Sequence, residues 1–209
     1  MYQHLDSPDY WAGRYEAGTA RWDLGRVSPP MQAYADQLAD RSLRVLVPGA
    51  GNGYEAEYFF RLGFPHVHVL DIATPPLEQF RRRVPDFPAG QVLQDDFFRH
   101  RGQYDLILEQ TFFCAFDPRP ARRQAYAEQM ARLLAPGGKL VGLWWSFPLD
   151  PERVGPPFGG DRSEYLTYFR PHFRVHTFEP CYNSAPERAG KEFFGIFIRT
   201  EQSKTKHYA

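Results

Sequence analysis

The feature that most constrains the fold of this chain is a regular alternation of short apolar runs with helix-like segments. The runs with the length and the β-branched or aliphatic content of strands are residues 43–47, 66–72, 90–94, 104–110 and 138–147. The helix-like segments between them are residues 52–62, 74–84 and 119–134. Strands that alternate with helices form a parallel sheet that is covered on both faces. The sequence therefore predicts an α/β domain of three layers.

The two ends of the chain depart from this alternation. Residues 174–183 and 191–200 are further strand-like runs, and the turn-rich segment SAPERAG joins them. Such a pair predicts a hairpin that closes one edge of the sheet with antiparallel strands. Residues 1–40 contain tryptophan and proline but no strand pattern, so we expect a lid that precedes the sheet. We expect residues 1–209 to form a single domain.

Composition excludes several classes of partner. Lysine plus arginine equals aspartate plus glutamate, at 25 each, which leaves no basic face for nucleic acid. No apolar run is long enough to span a membrane, and the start of the chain does not resemble a signal peptide. Cys114 and Cys181 show no metal-ligand spacing, so we expect no metal and a reducing compartment. These features predict a cytoplasmic protein, monomeric or weakly dimeric, that acts on a small molecule.

The segment PGAGNG, between the first strand and the first helix, indicates a ligand site. Gly49 and Gly51 allow a ligand to lie against the backbone beside an open helix end. A phosphate-binding loop requires a lysine at the start of the helix, and residues 52–57 read NGYEAE instead. A dinucleotide site prefers a third glycine where Tyr54 stands, and acidic residues in the first turn disfavour its pyrophosphate. S-adenosylmethionine, which carries two cationic groups and no phosphate, suits the turn better, with a nicotinamide-linked dehydrogenase as the outside alternative.

Two further strand ends carry acidic residues. Asp71 ends the second strand, 20 residues after Gly51, where a carboxylate accepts the hydroxyls of a ribose. The alternative for Asp71 is a cap for the next helix. Asp96 follows the third strand and could accept from an adenine amino group, with Phe97 beside the ring.

With these residues in place, the chain resembles the thiopurine S-methyltransferases and their relatives that methylate halide and thiol nucleophiles. The motifs that carry the resemblance lie in order between about Tyr10 and Phe169: YWAGRYEAGTARWDLG, LVPGAGNGYEAEYFFRLG, LDIA, DDFF, YDLILEQTFFCAF, LLAPGGKL and GPPF. The resemblance implies a Rossmann-like methyltransferase fold, with a seven-stranded, mostly parallel sheet and an antiparallel C-terminal hairpin. It also implies an aromatic N-terminal cap over S-adenosyl-L-methionine.

The resemblance carries over to individual positions. The residues it places at the cofactor are Trp11, Tyr15, Trp22, Gly49, Gly51, Asp71, Ile72, Asp96, Phe97 and Gln110. Glu109, a carboxylate near the end of a predicted strand, is a further candidate for the cofactor ammonium. Gln110 departs from the family, which often has arginine or tyrosine there, and Tyr15 stands where tryptophan is usual. A neutral amide forms no charge-assisted pair, so the acceptor of the family's better-known branches cannot be transferred to this chain.

The sequence favours a positioning mechanism without an assigned catalytic residue. The expected pocket for the acceptor has aromatic walls made by Phe112, Phe113, Phe147 and Phe158, with Trp144 and Trp145 as further candidates, for which packing within the sheet is the alternative. The long loop 148–161 is also expected to be functional, because loops of that length in a compact domain usually are. A thiol of low pKa is largely ionised and needs no general base, whereas a hydroxyl needs one. No histidine stands at a predicted strand end, and Glu109 is as suited to the cofactor ammonium as to base catalysis. We therefore expect a thiol acceptor; the alternatives are a small-molecule O-methyltransferase and a cofactor-binding regulatory protein without turnover.

Overall fold

A computed structural model describes residues 2–150 and 152–200 of the chain. The strands are β1 (Val45–Pro48), β2 (Val67–Asp71), β3 (Val92–Gln94), β4 (Tyr104–Gln110), β5 (Leu134–Trp145), β6 (Phe173–Pro180) and β7 (Glu192–Arg199). The α-helices are α1 (Pro8–Glu16), α2 (Pro29–Asp36), α3 (Tyr54–Arg61), α4 (Thr74–Arg83), α5 (Pro120–Leu133) and α6 (Arg162–Phe169). Short 3₁₀ turns are Gln3–Asp6, Ala89–Gln91, Phe113–Ala115 and Pro186–Arg188.

The strands form one seven-stranded sheet in the order β3-β2-β1-β4-β5-β7-β6. Strands β1 to β5 are parallel, and β7 lies between β5 and β6, antiparallel to both. The predicted three-layer α/β class and the antiparallel C-terminal hairpin are confirmed. Strand order reverses between β1 and β4, and a ligand site is expected in the crevice at the carboxyl ends of those two strands.

Two apolar cores fill the layers on either side of the sheet. Side chains alternate along each parallel strand, so Val45 and Val47 of β1 enter one core while Leu46 enters the other. The core that contains Val45 is covered by α2, α3 and α4, and the opposite core by α5 and α6. Both faces of the sheet are therefore closed, which leaves its carboxyl edge as the exposed place for a site.

The main difference from the predicted strands is the start of β5. The sequence predicts a strand over residues 138–147, but the structure begins it at Leu134. Leu134 pairs with Tyr104, and the register then shifts before Lys139 pairs with Leu106. The segment APGGK, which looks like the end of a helix, is accommodated in this irregularity of the strand.

The N-terminal segment divides into two parts. Helix α2 belongs to the core, because its residues Met31 and Ala35 are fully buried. Helix α1 has no fully buried residue and lies against α4, near the carboxyl edge of the sheet. In the described part of the chain no helix has the length and apolarity that crossing a membrane requires.

Candidate active site

A cavity of about 790 Å³ lies at the carboxyl edge of the sheet, beneath α1 and the segment that follows it. The predicted cofactor residues that line it are Trp11, Tyr15, Trp22, Gly49, Asp71, Ile72, Asp96, Phe97 and Gln110. Gly51 lines a small adjoining pocket. The fold thus brings residues from β1, β2, β4, the β3–β4 connection and the N-terminal segment to one place.

The glycine turn after β1 is held in shape by Asp71. Gly49 and Gly51 both have left-handed backbones, with φ of 57° and 54°. Asp71 Oδ2 accepts from the Gly51 amide at 2.8 Å, and Oδ1 accepts from the Ala73 amide at 2.9 Å. Burial raises the pKa of Asp71, although these two hydrogen bonds act in the opposite direction. Asp71 therefore supports the glycine turn as well as lining the cavity, but it does not cap the next helix, because the N-cap residue of α4 is Ala73 and no side chain caps that helix.

Close packing explains why two of the positions in this turn are glycine. A Cβ atom at position 49 would lie 2.0 Å from the ring of Phe112. At position 51 it would lie 2.6 Å from the hydroxyl of Tyr15. Both distances are shorter than any normal contact between heavy atoms, and both backbones favour glycine. The turn is consequently in direct contact with one wall of the cavity and with the N-terminal cap.

Aromatic rings of the cap form an edge-to-face chain above the turn. Trp11 and Trp22 have centroids 5.5 Å apart, and Trp22 and Tyr15 have centroids 5.7 Å apart. Trp22 Nε1 donates to the Tyr15 hydroxyl at 3.2 Å, and Trp11 Nε1 donates to the Leu5 carbonyl at 2.8 Å. The Tyr15 hydroxyl accepts this hydrogen bond from Trp22. The tryptophan that is usual at position 15 could not accept it, because an indole N–H is only a donor.

Gln110 lies in the cavity wall and is oriented from the opposite side by Ser28. The Ser28 hydroxyl donates to Gln110 Oε1 at 3.0 Å, and the Ser28 amide donates to the buried carboxylate of Glu55 at 3.0 Å. Among the described residues nothing accepts from Gln110 Nε2, which is buried. A donor that is buried and unpaired in a protein indicates a ligand or a water molecule at that position.

Glu109 is not in the cavity, and the structure gives it other partners. Alternation along β4 sends the Gln110 side chain to the cavity and the Glu109 side chain into the layer of α5. The carboxylate of Glu109 is fully buried and accepts from Tyr126 Oη and from the amides of Phe112 and Phe113. The sequence-based suggestion that Glu109 binds the cofactor or acts as a base has no geometric support.

Of the four phenylalanines expected around the acceptor, Phe112 lines the cavity. Phe113 packs inside the domain against Tyr126, with centroids 4.9 Å apart. Phe158 is fully buried and contacts Tyr2, and Phe147 lies beside Trp145, outside the cavity wall. Sequence shows that these segments are aromatic, but the direction of each ring depends on turns that only the folded chain defines.

The rest of the cavity wall comes from the long loop, the end of β5 and the C-terminal hairpin. The long loop 148–161 contributes Arg153, Pro156 and Pro157, as its length suggested, while Arg188 comes from the turn of the C-terminal hairpin. Of the two candidate tryptophans, Trp145 lines the cavity, whereas Trp144 packs in the core, as its alternative predicted. An arginine in a turn is normally solvated, so the sequence gives no signal for Arg188.

Cys114 also lines the cavity, and its environment makes it unreactive. Its thiol donates to the Thr111 carbonyl at 3.0 Å. Burial raises the pKa of the Cys114 thiol to about 12, and the charge of Glu109 acts in the same direction. Both cysteines are free and buried, and the described residues contain no group of histidine, cysteine and carboxylate side chains arranged to hold a metal ion.

The donors and acceptors of the cavity suit S-adenosylmethionine. Gln110 Nε2 is a donor without an acceptor among the described residues. Each Asp71 oxygen accepts one amide and keeps a second lone-pair site for a hydroxyl. Asp95 and Asp96 add negative charge, which favours cationic groups, while a pyrophosphate would meet the acidic Glu55 and Glu57 at the start of α3.

Comparison with known proteins agrees with this geometry. The sequence model for thiopurine S-methyltransferase matches residues 6–206. The chain belongs to the thiopurine S-methyltransferase family. The chain is also 36% identical over 162 residues to probable thiol methyltransferase 2 of Arabidopsis thaliana. The match covers 74% of this chain and 69% of that protein.

A second plant relative and a solved structure give the same result. Thiocyanate methyltransferase 1 of Brassica oleracea is 31% identical over 193 residues, covering 88% of this chain and 82% of that protein. Among solved structures, 1,6-didemethyltoxoflavin-N1-methyltransferase of Burkholderia thailandensis, with bound 1,6-didemethyltoxoflavin and S-adenosylhomocysteine, superimposes with a TM-score of 0.75. It is 17% identical, and the match covers 93% of this chain and 87% of that one. The predicted fold and family are confirmed, and this thiopurine S-methyltransferase family member is an S-adenosylmethionine-dependent methyltransferase that acts on a small molecule.

Proposed function

We propose that this family member methylates the sulfur of a small thiol, which it binds as the thiolate. The observation that carries the proposal is the guanidinium of Arg188, which is 4% exposed and lines the cavity. A buried fixed cation favours an anionic ligand, and a thiolate is the reactive form of a thiol. The names of the two plant relatives, a thiol and a thiocyanate methyltransferase, point to the same kind of acceptor.

Several contacts fix the position of Arg188. Nη1 donates to Glu192 at 3.3 Å, and Nη2 donates to the backbone carbonyl of Trp22 in the cap. The guanidinium carbon lies 5.2 Å from the centroid of the Trp145 ring. These contacts join the hairpin, the cap and the end of β5 around the buried ion pair of Arg188 and Glu192, so the guanidinium is already fixed in place when an acceptor anion binds.

The cavity offers no evident general base for a neutral hydroxyl acceptor. In the part of the chain that the structure describes, no histidine lines the cavity. Each carboxylate in its wall already accepts from a defined donor: Asp6 from Arg122, Asp23 from Gly25, Asp71 from Gly51, Asp95 from Asp96, Asp96 from Phe98, and Glu187 from Arg26. This arrangement favours an acceptor that arrives ionised.

The residues of the chain bind and orient the cofactor and the acceptor, and they exclude water from the site. We propose that Asp71 and Asp96 hold the ribose and the adenine amino group, and that Gln110 donates to the cofactor carboxylate. Trp11, Tyr15 and Trp22 would cover the cofactor, whose sulfonium supplies an electrophilic methyl carbon when it is bound. Phe112 and Trp145 would form apolar walls, where a reaction that neutralises charge is favoured over the separated ions in water. No side chain is required to move a proton for an ionised acceptor.

A panel of acceptors tests this proposal. Purified protein with S-adenosylmethionine is incubated with thiols of different pKa, inorganic thiocyanate, iodide and the phenols that match the aromatic thiols in shape. We expect methyl sulfides, at rates that follow the ionised fraction of each thiol. Methylation of the phenols without methylation of their thiol counterparts would establish the O-methyltransferase alternative, and cofactor binding without any product would establish a binding protein.

Replacing Arg188 is expected to weaken binding of the acceptor more than binding of the cofactor. For Arg188→Gln we expect a roughly tenfold fall in kcat/KM for an anionic thiol, about 1.4 kcal/mol, because one charge-assisted contact is lost. Arg188→Lys, which keeps the charge, is the matched control. The single variant leaves the buried Glu192 carboxylate without its partner and could therefore misfold. The double variant Arg188→Gln with Glu192→Gln removes both charges, so its loss of activity reports the missing contact with the anion. Unchanged kcat/KM in the double variant would remove Arg188 from the acceptor site.

We further propose that the protein acts in the cytoplasm as a monomer or weak dimer, without nucleic acid or membrane partners. Two free cysteines and a formal net charge of zero support this proposal. Light scattering at micromolar concentration tests the oligomeric state, and a stable complex of three or more chains would contradict it.

A further inference from the structure

Glu109 is a fully buried carboxyl group that the proposed chemistry does not use. It is the last residue but one of β4, and its side chain lies on the side of the sheet that faces α5, away from the cavity. Glu109 Oε1 accepts from the amide of Phe112 at 2.7 Å, and both carboxylate oxygens accept from the amide of Phe113 at 3.2 Å. The Tyr126 hydroxyl of α5 donates to Oε2. Since burial of an unpaired charge is costly, this set of three donors indicates a dedicated position for the carboxylate.

The neighbouring strand is adapted to the Glu109 side chain. Glu109 pairs with Gly142 of β5. A Cβ atom at position 142 would lie 2.4 Å from Glu109 Cβ and 2.6 Å from Cγ. Any other residue at position 142 would displace the carboxylate from its donors.

The segment that follows Glu109 is strained and belongs to the cavity. Thr111 has a φ of 55°, and it is the one residue other than glycine with a positive φ among the described residues. Such a backbone is unfavourable for a β-branched residue and persists where the surroundings hold it. The residues of this segment that line the cavity are Gln110, Thr111, Phe112, Cys114, Ala115 and Phe116. The amides of the next two residues after Thr111 are the ones that bind Glu109.

We propose that Glu109 is a positioning residue, which holds segment 110–116 in the strained shape that presents Gln110 and Phe112 to the cofactor and the acceptor. The inference rests on the proposed function, because it assumes that the cavity is the methyl-transfer site. All three donors point at the carboxyl group, so the ionised form satisfies them best. Protonation removes the charge that strengthens both amide contacts, and it turns one carboxylate oxygen into a hydroxyl, so the hydrogen bond with Tyr126 has to rearrange.

The environment of Glu109 makes this positioning depend on pH. Burial raises the pKa of Glu109 to about 7, while the bonds from Tyr126, Phe112 and Phe113 act to lower it. The other titratable groups that act on it are Cys114 in the following turn and Tyr165 on α6, both neutral in this range because burial raises the pKa of each. Between the ordinary carboxyl value of 4.5 and about 7 the folded chain retains a proton that the unfolded chain releases. The free energy of unfolding therefore decreases across this window as pH rises, whereas methyl transfer increases.

The first experiment compares wild type with Glu109→Gln, which keeps one acceptor oxygen and removes the charge. An electron-poor aromatic thiol that stays ionised throughout is the probe between pH 5.5 and 8.5. For wild type we expect kcat to rise about five- to tenfold with a midpoint near pH 7, because charge-assisted bonds are roughly twice as strong as neutral ones. Glu109→Gln should stay at the low value without a pH dependence. A wild-type midpoint retained in Glu109→Gln would overturn the proposal.

Two further variants separate positioning from general stabilisation. Tyr126→Phe removes a hydroxyl from the same buried pair but leaves both amide contacts, so kcat at high pH should be nearly unchanged. Its midpoint should move to higher pH, because the lost hydrogen bond lowers the pKa of Glu109. Thr111→Gly in the Glu109→Gln background should restore about half of the lost activity, since glycine adopts a positive φ without support. Failure of both effects would leave Glu109 with a purely structural role.

Two readouts do not depend on the acceptor. Hydrogen exchange of the Phe112 and Phe113 amides should be about tenfold faster in Glu109→Gln than in wild type at pH 8, because a neutral oxygen is the weaker acceptor. Calorimetric titration should show about a fivefold weaker affinity for S-adenosylmethionine, because Gln110 is no longer held in place. If no thiol is methylated, the proposed function fails while these two measurements still decide the role of Glu109. Unchanged exchange together with unchanged affinity would overturn that role.

Discussion

The variant Gly49→Ala is expected to lose about 2 to 4 kcal/mol of unfolding free energy and to bind S-adenosylmethionine poorly. About 1 kcal/mol of this comes from a left-handed backbone, with φ of 57°, that disfavours a side chain. The rest comes from the collision with Phe112, whose ring lies 2.0 Å from the position of the new Cβ. Phe112 cannot move without disturbing the cavity wall. Thermal and urea unfolding measure the loss of stability.

Gly137→Ala is the matched control for Gly49→Ala. Gly137 also has a left-handed backbone, with φ of 76°, and no heavy atom lies within 4 Å of its Cβ position. We expect a loss of about 1 kcal/mol and no change in cofactor affinity. Equal losses in the two variants would show that contact with Phe112 has no energetic importance.

The variant Asp71→Ala is expected to raise the Kd for S-adenosylmethionine roughly 10- to 150-fold, or by about 1.4 to 3 kcal/mol. The carboxylate is the proposed partner of the ribose hydroxyls, which would become buried without an acceptor. It also holds the amides of Gly51 and Ala73, so the glycine turn loses its support at the same time. Isothermal titration calorimetry measures the change directly.

Asp71→Asn and a cofactor fragment distinguish these two roles. Asparagine can accept from only one of the two amides that Asp71 holds, so Asp71→Asn should bind S-adenosylmethionine with an affinity between those of wild type and Asp71→Ala. Methionine alone has no ribose, so its weak binding should respond to Asp71→Ala through the turn and not through the sugar. Full retention of S-adenosylmethionine affinity in Asp71→Ala would remove the ribose assignment.

Much of the fold could be predicted because local pattern and tertiary environment agree. Strand β4 was predicted over its observed range, since a run of aliphatic residues between polar ends has no competing helical period. The C-terminal hairpin followed from two strand-like runs joined by a turn. The start of β5 could not be predicted, because the pairing of Leu134 with Tyr104 depends on a neighbour that is distant in sequence.

The site was predictable where backbone chemistry defines it. A glycine turn and an acidic strand end are local features, so Gly49, Asp71 and Asp96 were found and lie together. Side-chain direction at the end of a strand was not predictable for Glu109, because adjacent residues of β4 face opposite layers and the sequence does not say which faces the cavity. Arg188 was missed because the approach of the hairpin turn to the cap is a property of the whole fold.

Titration of the purified chain with S-adenosylmethionine and, separately, with a nicotinamide dinucleotide tests the central claim most directly. The geometry of the acidic, glycine-lined cavity predicts one S-adenosylmethionine bound per chain, with affinity that falls in Asp71→Ala, and no measurable binding of the dinucleotide. Saturable binding of the dinucleotide, or an affinity for S-adenosylmethionine that is the same in wild type, Asp71→Ala and Gly49→Ala, would contradict this claim.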